Sequence, residues 1–144
     1  MKKAAYRITF SFFDTFYYDG EHRPVEFIET EVVKDGVICD VYKFVGVTAY
    51  DLAIVRVSPG VSTPLQWITG GREENKTVEG VLEGTGTLLI TGIDNNPRVS
   101  EGVPKTTVLH GTDQLQWTAG KEGLTFFEIC HPPYEDGRYV NVMD

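Results

Sequence analysis

The division of this chain into short apolar runs most constrains its fold. Runs rich in Val, Ile, Phe, Tyr and Thr are separated almost throughout by Gly, Asp, Asn or Pro. Such spacing is typical of all-β sandwiches and barrels, and no helical period extends beyond about two turns. The predicted strands are residues 7–13, 25–33, 37–44, 52–57, 65–68, 77–82, 86–91, 106–109, 114–117 and 124–130.

The connections between these runs carry recognisable turn chemistry. Asp35-Gly36 separates two β-rich runs, and this dipeptide accepts the positive φ of a tight hairpin. The glycines of residues 83–86 predict a close strand reversal, and residues 92–105 form a predicted connection. The tail after Cys130 contains two adjacent prolines, which lack the amide donor of a central strand. We therefore expect the tail to wrap over the surface.

Composition excludes several classes of partner. A chain of 144 residues suits one domain. Its formal net charge of −8 disfavours nucleic acids and anionic membranes. No apolar run of membrane-spanning length occurs, and Arg7 and Asp14 interrupt the one segment that begins like a signal peptide. We therefore expect a cytoplasmic protein, with Cys39 and Cys130 as buried, reduced thiols.

Two blocks of sequence resemble a known family. Residues 59–86, PGVSTPLQWITGGREENKTVEGVLEGTG, and residues 109–129, LHGTDQLQWTAGKEGLTFFEI, resemble the two motifs of the cupins. The resemblance implies an all-β fold, the cupin-type double-stranded β-helix or jelly-roll barrel. Residues 51–144 would form the barrel core. Residues 1–50 would add an N-terminal strand extension, within the same single domain or swapped onto a dimer partner.

The resemblance also implies where metal ligands would stand, and other residues occupy those positions. Gln66 and Ile68 replace the paired histidines of the first motif, Thr77 replaces its glutamate, and Gly123 replaces the histidine of the second. An alternative register places Glu73 at the glutamate position. Fe, Mn, Ni and Zn need imidazole or carboxylate donors, so we expect no metal at the usual cupin site and no other cofactor.

Polar residues on the predicted barrel strands are the candidate ligand contacts. Gln66 points into the barrel if the motif register is right, and it binds a ligand or is a satisfied core amide. Thr77 and Glu79 share one strand face, so Glu79 is either a cavity acid or base or a solvated strand residue. Arg56 either clamps an anionic ligand group or forms an ion pair near a strand end.

Two aromatic residues complete the predicted site. Trp117 and Phe127 fall on the strands of the second block and are expected in the interior. They line a ligand pocket, as apolar walls do in most small-molecule sites, or they simply fill the core.

These residues support three hypotheses of function. The first is a metal-free cupin that binds a small organic molecule, a sugar or a carboxylate, without chemistry. The second is a metal-independent isomerase, epimerase or lyase that uses Glu79 as acid or base, with Gln66 and Arg56 orienting the substrate. The third is a metalloenzyme whose ligands have moved to His110, His131 or Glu128. A purely structural role as a dimer remains a fourth alternative.

The N-terminal aromatic residues predict a homodimer. They exceed what one small barrel readily buries, and exposed strand edges invite pairing. We expect the interface to involve the N-terminal strands, which carry Phe10, Phe12, Phe13, Phe16, Tyr17 and Tyr18.

Overall fold

Antiparallel β-strands make up the regular structure of the protein. The computed structural model describes residues 13–91, 93–95, 99–100, 103–104 and 106–142. Within these residues the chain forms strands and no helix, so the predicted all-β class is confirmed. The strands are β1 (Thr15–Tyr18), β2 (Glu21–Lys34), β3 (Val37–Phe44), β4 (Asp51–Val57), β5 (Gln66–Ile68), β6 (Lys76–Ile90), β7 (Ile93–Asn95), β8 (Val99–Ser100), β9 (Val103–Pro104), β10 (Thr106–His110), β11 (Gln114–His131) and β12 (Tyr139–Asn141).

Two long strands hold the barrel together. β6 and β11 pair with each other along most of their lengths. The first part of β6 also pairs with β10, and its last part pairs with β7. The last part of β11 pairs with β4, and its first part pairs with β5. Each long strand therefore serves two groups of neighbours, which is how a jelly roll curls one sheet into a barrel.

The long strands bend at glycines where sequence analysis had placed a turn. The predicted strand reversal at residues 83–86 is wrong, because β6 runs through it without interruption. Gly84 and Gly123 both have a φ of +82°, and a Cβ on Gly84 would lie 2.1 Å from the carbonyl oxygen of Gly123. The glycines therefore permit a close backbone approach inside a bent strand pair rather than a hairpin.

Strand alternation gives the sheet two buried faces. On β11, Phe126 packs in a cluster inside the barrel, while Phe127 and Ile129 pack in a second cluster on the outer face. The inner cluster includes Trp117 and Val55, among other buried residues. Because neighbouring side chains point to opposite faces, every functional residue on these strands must be assigned to one of the two layers.

The N-terminal hairpin covers the outer face. β1 pairs with the start of β2, and β2 pairs with β3. The ring of Phe16 meets that of Phe127 edge-on, with centroids 5.2 Å apart. The Tyr18 hydroxyl and His131 Nε2 form a hydrogen bond of 2.7 Å, which ties the hairpin to β11. Of the predicted strand at residues 7–13, all but Phe13 lies outside the described residues.

The C-terminal tail folds back along the barrel. β12 pairs with β5 and ends the strand order, as expected for a tail that cannot be central. Arg138 is buried, and its guanidinium donates to the carbonyl oxygens of Pro132 at 2.8 Å and Lys76 at 2.9 Å. These bonds anchor the tail to the start of β6. The described part of the chain contains no helix long and apolar enough to cross a membrane.

Candidate active site in the barrel

A pair of glutamates lies inside the barrel. Glu79 on β6 and Glu128 on β11 are direct partners in the antiparallel register, so their side chains share the inner face. Glu79 has no accessible surface. Trp117 Nε1 donates a hydrogen bond of 2.6 Å to Glu79 Oε1, and the Trp117 ring stacks on Phe126 with centroids 4.6 Å apart.

The two carboxyl groups are electrostatically coupled. Burial raises the pKa of Glu79 well above its ordinary value, and the charge of Glu128 and a hydrogen bond to it raise this pKa further. Burial also raises the pKa of Glu128, but the hydrogen bond from Glu79 and the positive charge of Arg138 oppose that rise. No fixed donor among the described residues reaches Glu79 Oε2. Two carboxylates cannot hydrogen-bond to each other without a proton, and the pKa of Glu79 is the more strongly raised of the two.

A small cavity reaches Glu128 from the surface. Its volume is about 80 Å³, and its lining includes Glu128, Trp117, Gln66 and Thr63 among aliphatic and aromatic residues. Val33, which is 45% exposed, also lines it and marks its mouth. Ligand sites usually enclose several times this volume, so the cavity accommodates a small molecule or one end of a larger one.

The interior beyond the pair is polar but neutral. Thr77 is fully buried, and its hydroxyl lies 3.2 Å from the Tyr139 hydroxyl, which in turn lies 3.4 Å from Cys130 Sγ. Burial raises the pKa of Tyr139 well above its usual range and that of Cys130 to about 12. Cys130 is therefore a protonated thiol, unsuited to act as a nucleophile at neutral pH.

Three of the predicted site residues lie on the inner face with Glu79. Gln66 and Trp117 line the cavity, and Gln66 Nε2 also donates a hydrogen bond of 3.0 Å to Asn141 Oδ1. Thr77 lies two residues before Glu79 on the same face, next to Tyr139 rather than at the cavity. The fold therefore brings Gln66 and Trp117 together at one cavity, and the hydrogen bond from Trp117 connects that cavity to Glu79.

Two predicted site residues lie on the opposite face, which corrects their expected placement. Arg56 Nη1 donates to Asp40 Oδ2 at 2.5 Å, and the Asp40 carboxylate is buried. Phe127 packs in the outer cluster against Phe16. The reason is strand phase, because Arg56 and Phe127 each alternate with inner residues, Val55 and Phe126. Neither residue lines the cavity.

The histidines lie away from the carboxyl pair. His131 bonds to Tyr18 on the outer side, and burial lowers its pKa. His110 ends β10 and pairs with Lys76 in the register, and His22 is exposed on β2. Sequence analysis had named the first two as displaced metal ligands.

The residues at the motif positions do not suit a cupin metal. Ile68 is a buried aliphatic side chain, Gly123 has no side chain, and the Thr77 hydroxyl bonds to Tyr139. Within the described ranges no group of three or more His, Cys, Asp or Glu side chains could hold a metal ion. The donor set thus differs in kind from imidazole and carboxylate ligation.

The pairing of Glu79 with Glu128 was the main feature that sequence analysis missed. The alternation in TFFEIC places Glu128 on the same face as Phe126, so its inward direction was readable. That it stands opposite Glu79 depends on the register between β6 and β11, which are about 50 residues apart in sequence.

Comparison with known proteins assigns the fold class. No protein-family model matches the sequence, and no curated protein is similar to it in sequence. A cupin-2 domain protein of Rhodospirillum rubrum superimposes with a TM-score of 0.61 at 16% identity, covering 94% of this chain and 85% of that one. KdgF of a Halomonas species gives 0.59 at 12% identity, covering 77% and 96%.

A third similar structure is an enzyme. Pac13 of Streptomyces, a nucleoside dehydratase, superimposes with a TM-score of 0.58 at 13% identity, covering 82% of this chain and 84% of that one. With the sheet topology above, these likenesses show that this chain has the cupin fold, as its motifs predicted.

Proposed function

We propose that this cupin-fold protein binds a small organic molecule in the barrel cavity and catalyses a proton transfer on it, as an isomerase, epimerase or lyase does. The observation that carries the proposal is the Glu79–Glu128 pair, of which Glu128 lines a cavity that reaches the surface. Buried like-charged carboxyls are costly, and such pairs with perturbed pKa values concentrate at functional sites.

The two carboxyls have different roles in this proposal. Glu128 acts as the catalytic base, because it is the member of the pair that lines the cavity. Glu79 is fully buried behind it and is a positioning residue, which holds the shared proton and is itself held by Trp117. The role assigned from sequence to Glu79 thus passes in part to Glu128. In each case Glu128 takes a proton from a carbon of the substrate. An isomerase then returns a proton to a different atom, an epimerase returns it to the opposite face of the same carbon, and in a lyase the C–H electron pair forms a double bond as a leaving group departs from the neighbouring atom.

Two further features support this class of reaction. Gln66 lines the cavity and offers an amide that can orient a substrate oxygen. Pac13, which shares the fold, is a nucleoside dehydratase, so the fold accommodates lyase chemistry. Our proposal uses no metal, since the residues at the motif positions do not suit one.

Deuterium exchange tests the proposal without knowledge of the net reaction. A panel of small aldehydes, ketones and polyols in heavy water would be incubated with the protein, and deuterium uptake at carbon measured by mass spectrometry. We expect at least one compound to exchange, and Glu128→Gln to slow exchange about 100-fold or more. Exposed Glu26→Gln is the control. Equal exchange by wild type and Glu128→Gln would reject the catalytic role.

Binding without chemistry is the second candidate function. The small volume of the cavity and its apolar walls favour it. It predicts that a compound shifts the Trp117 indole signal in NMR spectra while no deuterium is incorporated. Gln66→Ala should weaken that binding about tenfold, the effect of one hydrogen bond to a ligand.

The predicted homodimer remains a proposal about assembly. Its support is the exposed apolar side chains of Ile28, Val32 and Val33 along β2. Light scattering at micromolar concentration should give twice the mass of one chain, and a monomer would contradict the proposal.

A further inference from the structure

The charge of the cavity lining restricts the class of ligand. Among the residues that the structure describes, the ionisable side chains that line the cavity are Glu128 and Cys39, and no Lys, Arg or His side chain joins them. Burial and nearby acidic charges raise the pKa of the Cys39 thiol far above its usual value, so this thiol is neutral. Among the described lining residues, Glu128 is therefore the one side chain suited to carry a formal charge, and that charge is negative.

The cations that could have balanced an anionic ligand are engaged elsewhere. Arg56, the residue expected to clamp a carboxylate, pairs with Asp40 on the outer face of the sheet. Arg138 is buried, with its guanidinium bonded to three backbone carbonyl groups of Lys76, His131 and Pro132. An anion in the cavity would consequently contact Glu128 and no cation among the described lining residues, and like charges repel strongly where water is excluded.

Polar groups at the cavity suit an uncharged ligand. Gln66 offers an amide, and Glu128 accepts a hydrogen bond from a hydroxyl group. The remaining lining is mainly apolar and includes Val37, Val55 and Leu115. Such walls disfavour an anion, which would lose its water without a partner, and they leave a cation with Glu128 alone to offset the loss of its water.

From these contacts we infer that the cavity selects uncharged hydroxyl or carbonyl compounds and rejects carboxylates and phosphates. This inference rests on the proposed function, since it specifies what the proposed site binds. Sequence analysis expected a sugar or a carboxylate as the ligand. The inference retains the sugar, which is uncharged, and excludes the carboxylate.

Three isosteric probes test the selection. Lactamide, lactate and isopropanolamine are similar in size and differ mainly in charge: neutral, negative and positive. Each is titrated against ¹⁵N-labelled protein, and the two indole N–H signals are followed. Trp117 donates to Glu79 at the site, whereas Trp67 is 45% exposed and serves as the internal control.

We expect lactamide to shift the Trp117 signal at about tenfold or more lower concentration than lactate does. Glu128→Gln should reduce that preference, since it removes the repelling charge, while exposed Glu26→Gln should leave it unchanged. Stronger binding of lactate or isopropanolamine than of lactamide at Trp117 would overturn the inference and leave the cavity as a binding site. If no probe shifts the Trp117 signal, and a wider panel of neutral compounds also fails to, the proposed site and this inference both fall.

Discussion

The two faces of the central sheet use the same strands for opposite purposes. On β11, Phe127 and Ile129 point outward into an aromatic and aliphatic layer closed by Phe16. On the same strand, Glu128 points inward to Glu79 and to the cavity. The outer layer gains stability from apolar burial, whereas the inner layer gives up part of that gain to hold two carboxyls. Both layers contain apolar clusters, and the carboxyl pair distinguishes the inner layer from the outer one.

Truncation of the outer layer should have the largest effect on stability. Phe127→Ala is expected to reduce the free energy of unfolding by about 3 to 5 kcal/mol, because it leaves a cavity between the sheet and the hairpin. Urea denaturation measures this loss. Tyr17→Ala is the control, since Tyr17 is 59% exposed and should change stability by less than about 0.5 kcal/mol. Similar losses for the two variants would contradict the assigned outer core.

Removal of Arg56 should separate a structural role from a functional one. Arg56→Ala leaves the buried Asp40 carboxylate without its ion pair, at an expected cost of about 3 kcal/mol. Because Arg56 lies on the outer face, titration of the Trp117 indole signal with lactamide should be unchanged. If Arg56→Ala has normal stability but binds lactamide more weakly, Arg56 contributes to the ligand site and not to the ion pair alone.

The inner pair should impose a pH dependence on stability. Both carboxyls titrate near pH 4.5 in the unfolded chain, and their pKa values are raised on folding. Above pH 4.5 the folded state therefore binds more protons than the unfolded state. The contribution of the pair to the free energy of unfolding is fully present below about pH 4.5 and is lost as the pH rises through the pKa values of the folded state.

Glu79→Gln should remove much of this dependence. The amide keeps an acceptor for Trp117 and gains donors for Glu128. The variant should therefore gain stability relative to wild type as the pH rises above about 4.5, by up to about 1.4 kcal/mol per pH unit. Denaturant unfolding between pH 4 and pH 8 measures this difference. A constant difference across that range, like that expected of exposed Glu26→Gln, would show that the pair is not coupled.

The hydrogen bond between the hairpin and β11 should have the smallest effect. Tyr18→Phe removes the 2.7 Å bond to His131 and should cost about 1 kcal/mol. Tyr17→Phe, at an exposed position, is the matched control. Thermal unfolding detects the difference, and equal melting temperatures would show that this bond does not fix the hairpin to the sheet.

The sequence by itself determined the fold class and most strand positions. Turn residues and apolar runs act locally, so β3 was predicted with both of its ends. The glycines of β6 were misread as a turn, because a glycine that permits a turn also permits a close approach of two strands. Only the contact between Gly84 and Gly123 in the folded protein shows that the second case applies. Local signals cannot distinguish these two uses.

Only the tertiary structure decided which polar residues form the site. Local alternation shows which residues of one strand share a face, but not which face turns inward. Sequence analysis therefore left Arg56 open between a ligand clamp and an ion pair, and Phe127 open between a pocket wall and core filling, and the structure shows the ion pair and the core packing. The pairing of Glu79 with Glu128 depends on register between strands distant in sequence. In the sequence Glu79 is an ordinary glutamate. Its burial and its interaction with Glu128 arise only when β6 and β11 pair in the folded protein.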